Sequence, residues 1–182
     1  MPELRAALLL ADGFEELETV APLTILRRAG VKVDILSLSG SNTATGVRGL
    51  VLASDKAFAA ASAQDYGVVV LPGGLPGAHH LRDSEELISF LQKLAPDAVI
   101  AAICAAPIVL ERAGLIRDRQ VTCFPAKEPE LGSARVTGAR VERDGRIVTA
   151  KGAGVSIEFA FEILRAAGLG EAAEQVKASI FA

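Results

Sequence analysis

Apolar and polar positions along this chain follow two periods in turn, and the switches between them lay out strands and helices. Residues 4–11 (Leu-Arg-Ala-Ala-Leu-Leu-Leu-Ala) form a continuous apolar run, which predicts a strand buried on both faces. A loop at Asp12-Gly13-Phe14 follows. The spacing then predicts a helix from Glu15 to Ala29, with Leu17, Val20, Ala21 and Thr24 facing inward and Gly30 closing it. Val31 to Leu38 reads as the next strand, and residues 41–53 as a short β excursion ending in Leu50-Val51-Leu52. Tyr66 to Leu71 is another core strand, broken at Pro72-Gly73-Gly74. Ser84 to Leu94 predicts a helix capped by Asp83 or Ser84, with Leu87, Phe90, Leu91 and Leu94 on one side.

At residues 99–107 an apolar strand, Val-Ile-Ala-Ala-Ile-Cys-Ala-Ala-Pro, runs straight into a helix that ends at Gly114. After Val121-Thr122 the pattern changes, and Arg140 to Ala150 reads as a hairpin turning at Asp144-Gly145. Lys151-Gly152-Ala153-Gly154 opens an apolar helix to Ala167, Gly168 stops it, and Glu171 to Ser179 is a last short helix. Alternation of this kind predicts an α/β fold with a parallel sheet. No repeat, low-complexity tract or linker interrupts it, so residues 1–182 are expected to form one domain.

Composition narrows the classes. At 51% hydrophobic and 23% charged, the chain is globular rather than disordered. A net charge of −3 and the lack of a Lys/Arg stripe give no electrostatic case for nucleic acid. Two cysteines, Cys104 and Cys123, do not make a secreted disulfide framework. Met-Pro-Glu-Leu-Arg leads directly into a strand, so no signal peptide is read, and no apolar run approaches the ~20 residues of a membrane span. The expectation is a reducing, cytoplasmic compartment in which Cys104 is a free thiol.

The loops at 12–15, 72–77 and 103–106 follow strand C-terminal ends, where ligands collect in open α/β sheets. Cys104 sits at the strand–helix turn, where the helix's unpaired N–H groups favour thiolate over thiol. Pro107 suits the first helical turn, and Ala105 and Ala106 keep the elbow small. The bland alternative is a buried structural cysteine. Glu15 and Glu16 read as helix-start acids that complement the dipole, while Glu18 lies at the edge of the buried face. Desolvation there raises a carboxyl pKa, and a neutral acid beside a thiolate can donate a hydrogen bond and shuttle protons.

Gly73-Gly74 is either a plain strand terminator or a bare backbone whose N–H groups, with that of Ala105, meet a developing oxyanion. Gly152-Ala153-Gly154 lacks the third glycine of a dinucleotide fingerprint, and no phosphate loop is present. His79 and His80 are adjacent in a loop and read as surface residues without metal-ligand spacing. Cys123 is either packing or a second thiol near the first. Neither a metal nor an organic cofactor is expected.

Several segments carry a family resemblance over nearly the whole chain: Ala-Asp-Gly-Phe-Glu-Glu-Leu-Glu-Thr-Val at 11–20, Val-Val-Val-Leu-Pro-Gly-Gly at 68–74 and Ala-Ala-Ile-Cys-Ala-Ala-Pro at 101–107. Lys-Gly-Ala-Gly-Val-Ser-Ile-Glu-Phe-Ala at 151–160 and Gln-Val-Lys-Ala at 175–178 add to them. The sequence resembles the ThiJ/PfpI family, in the branch of the Parkinson-associated protein deglycase. The resemblance implies a flavodoxin-like three-layer sandwich with a mostly parallel central sheet, usually as a homodimer. It also implies Cys104 as nucleophile, Glu18 as partner carboxyl, and Gly73, Gly74 and Ala105 as oxyanion-side backbone. Arg28 and Arg48 are placed near the pocket or the interface of such a dimer, or else in solvent.

One departure matters. Many relatives carry a histidine after the strand that here reads Val121-Thr122-Cys123-Phe124-Pro125, and Phe124 takes its place. A peptide leaving group needs a proton donor such as imidazole, so a protease or amidotransferase-like reading is weakened. The expected activity is a cofactor-independent glyoxalase or protein deglycase. It would act on methylglyoxal-type 2-oxoaldehydes, or their early protein adducts, through a Cys104 hemithioacetal. The alternative is an oxidative-stress sensor or chaperone that uses an oxidisable Cys104.

Overall fold

The computed structural model describes residues 4–182. Its centre is a seven-stranded sheet made of β1 (Arg5–Leu10), β2 (Lys32–Ser37), β5 (Lys56–Ala57), β6 (Val68–Leu71), β7 (Val99–Ile103), β10 (Val141–Asp144) and β11 (Ile147–Ala150). Their order across the sheet is β10-β11-β7-β6-β1-β2-β5. All neighbours pair in parallel except β10, which runs antiparallel to β11. Two ribbons lie outside the sheet: β3 (Thr43–Thr45) antiparallel to β4 (Val51–Ala53), and β8 (Gln120–Val121) parallel to β9 (Arg135–Val136).

Alternation along each strand builds the layers. Ala7 and Leu9 of β1 join the core formed with α2 (Gly77–Asp83), α3 (Glu85–Gln92) and α4 (Pro107–Arg112). Ala6, Leu8 and Leu10 point to the other face, packed by α1 (Glu16–Arg28), α5 (Ser156–Ala166) and α6 (Gly170–Ser179). With a side-chain period of two, a strand covered on both faces must be apolar at every position. The result is the flavodoxin-like sandwich.

The sequence reading departs from the structure in several places. The inward face of α1 is Glu18, Thr19, Pro22, Leu23, Ile25 and Leu26, whereas Leu17 is 59% exposed and Thr24 lies in solvent. Turning Glu18 inward rotates the helix away from the phase its apolar residues suggest. Residues 77–83 are a helix rather than a loop, with only Gly77, Ala78 and Leu81 buried, too short to show helical periodicity. The hairpin pairs Asp144 with Ile147, so the turn is Gly145-Arg146, one residue later than expected. α5 starts at Ser156 after a single 3-10 turn, and Ser84 rather than Asp83 caps α3, its Oγ accepting the Leu87 N–H at 3.2 Å.

Away from the site, the sheet is fastened by Asp34 on β2. Its Oδ2 accepts from Tyr66 Oη at 2.8 Å and Arg5 at 2.6 Å, and pairs with Lys56 at 3.1 Å. Burial opposes the charge, but the hydrogen bonds from Tyr66, Lys56 and Arg5 outweigh it and hold the carboxyl below its ordinary 3.8. A depressed carboxyl stabilises the fold above its unfolded pKa, and that stability is lost as pH falls through the folded value. Replacing Asp34 with Ala strands the tyrosine hydroxyl and both cations, and about 2 kcal/mol should be lost at pH 7. Urea unfolding checks this, and the difference from wild type should narrow as the pH is taken well below 3.8.

Candidate active site

The C-terminal ends of β1, β6 and β7 lie side by side, so the loops after them must meet. The Glu15 N–H donates to the Gly73 carbonyl at 3.0 Å, and the Gly77 N–H to the Gly13 carbonyl at 3.3 Å. Such closeness leaves no room for side chains. A Cβ on Gly73 would stand 2.5 Å from Glu18 Oε2 and 2.8 Å from Cys104 Cβ. One on Gly74, whose φ is +88°, would press on the Gly13 carbonyl oxygen and lie 2.5 Å from Glu15 N. These glycines are required by contact, not merely by the end of a strand.

Cys104 terminates β7 in the left-handed region, with φ of +62°. A non-glycine residue there stores about 1–3 kcal/mol and persists only where its surroundings dictate it. Here they do. The Cys104 N–H donates to the Ala150 carbonyl at 2.8 Å, and its carbonyl accepts the Phe124 N–H at 2.8 Å. Pro107 begins α4 directly after, so the thiol is thrown out of the sheet at a strand–turn–helix elbow.

It meets Glu18, which is completely buried. The Gly73 N–H donates to Glu18 Oε2 at 2.9 Å. Oε1 finds no hydrogen-bond partner among the described residues, and the Cys104 thiol lies close enough to act on the ionisation of the carboxyl. Burial pushes the Glu18 carboxyl from its ordinary 4.5 to about 7, against the pull of the Cys104 and Gly73 hydrogen bonds and helped by the charge of Glu15. The Cys104 thiol is pushed up to about 12, first by burial and then by the charge of Glu18 and its hydrogen bond. The N–H groups of Ala105 and Gly74 pull it back only in part.

Two expectations therefore change. The sulfur rests as a thiol, because burial and a neighbouring carboxylate outweigh the N-terminus of a six-residue helix. Glu18 is then the acceptor for its proton, and faces a thiolate as a donor only once that proton has passed to it. Gly73 does not offer a free N–H to an oxyanion, because Glu18 already takes it; Gly74 and Ala105 supply the donors that face sulfur.

Other candidates fall elsewhere. Cys123 is buried in the core on the face of the sheet opposite Cys104, its thiol 3.3 Å from the Phe124 carbonyl, so it is packing. His79 and His80 ride on α2, one against Lys127 Nζ at 3.1 Å and the other against the Asp12 carbonyl at 3.1 Å. No cluster of metal-ligating side chains occurs among the described residues. Phe124 is 48% exposed beside the elbow. The Arg48 N–H donates to Glu16 Oε1, while Arg28 lies at the far end of α1 beside α6. A cleft of about 670 Å³ lies between the Phe58 turn and α3, and no cysteine or histidine lines it.

Glu15, which the sequence presents as a helix-start acid that complements the dipole, has a more specific place. It is the N-cap of α1, its Oε2 accepting the Glu18 N–H at 2.8 Å. Ser, Thr, Asp and Asn are the usual caps, so a glutamate three residues before a buried glutamate was the available signal.

Burial of Glu18 has a thermodynamic consequence. Because the folded pKa of about 7 lies above the ordinary 4.5, folding binds a proton between those values, and stability falls as pH rises through that window. The loss should be about 3 kcal/mol by linkage. Glu18→Gln should remove this slope, so urea unfolding at pH 5 and 7.5 should show wild type losing stability that the variant keeps.

The DJ-1/PfpI family model matches residues 4–166. The Parkinson disease protein 7 homolog of Danio rerio is 36% identical over 181 residues, covering 97% of this chain and 96% of its own. Protein dj-1beta of Drosophila melanogaster is 35% identical over 161 residues, covering 87% and 86%. The crystal structure of Drosophila DJ-1beta superposes with a TM-score of 0.92 at 32% identity, and oxidised Toxoplasma gondii DJ-1 with 0.91 at 30%, each covering 98% of both chains. With an elbow cysteine facing a buried first-helix glutamate inside such a sandwich, the chain belongs to the DJ-1/PfpI family.

Proposed function

We propose that the protein is a cofactor-independent glyoxalase or deglycase that converts 2-oxoaldehydes such as methylglyoxal, free or as early protein adducts, to 2-hydroxy acids. The observation that carries this reading is the pairing of one thiol with one buried carboxyl whose pKa lies at about 7. An early protein adduct first reverts to its free amine or thiol and the 2-oxoaldehyde; sulfur then adds to the aldehyde carbon as its proton passes to the Glu18 carboxylate and on to the former carbonyl oxygen, giving a hemithioacetal. The N–H groups of Gly74 and Ala105 face the sulfur and hold the developing oxyanion. Glu18 then removes the C1 proton and returns a proton to C2, so C1 is oxidised and C2 reduced within one molecule. Water cleaves the resulting thioester to the 2-hydroxy acid and restores the thiol. Atoms balance with water as the only co-reactant.

A single acid–base group suits this chemistry. Among the described residues Glu18 is the only side chain that acts on the ionisation of the Cys104 thiol, and Phe124 brings no imidazole to protonate an amine leaving group. Isomerisation needs one proton carrier that works in both directions, best at a pKa near the working pH. A compartment that keeps Cys104 reduced, the cytoplasm in this reading, fits a site built on a free thiol; among the described residues no helix is long and apolar enough to cross a membrane. Cys104→Ser and Glu18→Gln should each lower lactate formation from methylglyoxal, without glutathione, by about 100-fold or more. In wild type, kcat/KM should climb through a midpoint near pH 7 as the carboxylate forms. Turnover by either variant at the wild-type rate overturns the proposal.

A second reading, oxidation of Cys104 to sulfinate as a stress signal, draws on the likeness to an oxidised Toxoplasma gondii DJ-1. A stable gain of two oxygens on Cys104 after mild peroxide, with no lactate formed, would favour it.

The homodimer belongs to this proposal as well. Leu17 is 59% exposed on the outer face of α1, and Ile157 is 48% exposed on the neighbouring α5. Two copies meeting there would cover the stripe. Sedimentation should show a dimer that Leu17→Glu shifts toward monomer, and a monomeric wild type would rule the interface out.

A further inference from the structure

Glu15, Glu18 and Gly73 form a closed ring of three hydrogen bonds. The Gly73 N–H donates to Glu18 Oε2 at 2.9 Å, the Glu18 N–H donates to Glu15 Oε2 at 2.8 Å, and the Glu15 N–H donates to the Gly73 carbonyl at 3.0 Å. Each residue is both donor and acceptor, so the helix start and the loop after β6 cannot shift independently. The Glu15 backbone carbonyl is engaged too, accepting Thr19 Oγ1 at 2.8 Å.

The cap itself is unusual. A shorter Asp or Ser would satisfy the same N–H with less side-chain entropy to lose. A glutamate cap closes the ring and also sets a second carboxylate close to the buried one. Glu15 and Glu18 are like charges about one turn apart, the arrangement that disfavours ionisation of the less solvated partner. The other titratable group bearing on Glu18 is Cys104, from the β7–α4 elbow; the loop after β6 contributes only the Gly73 N–H.

We propose that Glu15 is a positioning residue for the Cys104–Glu18 pair, holding the Glu18 carboxyl on the Gly73 peptide through the closed ring of hydrogen bonds and setting a second carboxylate beside it. The inference rests on Cys104 and Glu18 acting as one couple, as the proposed function requires. It does not need the substrate to be known.

The test is the pH profile of Cys104 alkylation by iodoacetamide, followed on its own peptide by mass spectrometry, beside kcat/KM with methylglyoxal. In the couple, the reactive form is the singly deprotonated pair with the proton on Glu18 and the charge on sulfur. The rate in wild type should therefore rise with a midpoint near 7 and then level off. Glu15→Gln keeps an oxygen to accept the Glu18 N–H and removes the charge. Its midpoint should move down by about half a pH unit or more, from Coulomb interaction at an effective dielectric between those of protein surface and water. Glu15→Asp keeps the charge and caps well, so its midpoint should stay near that of wild type. This second variant keeps the test decisive if the Gln variant folds poorly.

A Glu15→Gln profile that superimposes on wild type overturns the proposal, as does a Glu15→Asp midpoint that falls with that of Gln. A different result would strike the underlying couple: a midpoint near 7 that survives in Glu18→Gln. Alkylation profiles that behave as stated without lactate formation would remove the glyoxalase reading and leave the role of Glu15 standing.

Discussion

A carboxyl taken entirely out of water needs either a cation or a proton, and none of the described residues offers Glu18 a cation. Its partners are one peptide N–H and one thiol. The proton count of the site is therefore shared between Glu18 and Cys104, and every nearby structural choice serves to keep those two groups together. The sheet order brings three loops to one edge, the glycines let them interpenetrate, and the left-handed elbow turns the thiol toward the helix. Were Glu18 to rotate outward, Gly73 would lose its acceptor and the elbow its only acid–base partner.

The cost is spread over the fold. A strained Cys104 and a buried carboxyl each weaken the native state, and both are held by elements that are otherwise strongly stabilised. The strand ends on either side of the elbow supply the bonds to Ala150 and Phe124. The apolar layers on both faces of the sheet make the strands too rigid to relax. Strain kept in a rigid frame is a common mark of functional sites, because it persists only when the surroundings leave no alternative.

Much of this was legible in the chain. Continuous apolar runs marked β1, β6 and β7 as strands, β1 as one buried on both faces, and their ends marked the candidate site. The phase of α1 was not legible, because a hydrophobicity pattern assigns Leu17 inward and cannot assign Glu18 there. That inversion is itself the functional signal: the polar residue takes the core position and the apolar one is displaced outward. Likewise Gly73-Gly74 could be read as a stop or as a cradle, and only the distances to Glu18 and Cys104 distinguish them. The short α2 was invisible because seven residues with a few inward contacts carry no period. The state of the sulfur was misjudged for a different reason. Helix-terminus arguments consider only favourable dipoles, whereas burial and the facing carboxylate act in the opposite sense.

The proposed chemistry follows from having one proton carrier rather than two. A site with a single carboxyl and no imidazole is poorly suited to expel an amine, but it can move a proton between adjacent carbons and back. Infrared difference spectra of wild type against Glu18→Gln and Cys104→Ser, followed across the pH range, test the shared proton most directly. The account predicts a protonated-carboxyl stretch from Glu18 that disappears with a midpoint near pH 7, together with a Cys104 S–H stretch that persists above it. A Glu18 band already lost near pH 4.5, or no S–H stretch at neutral pH, would contradict it.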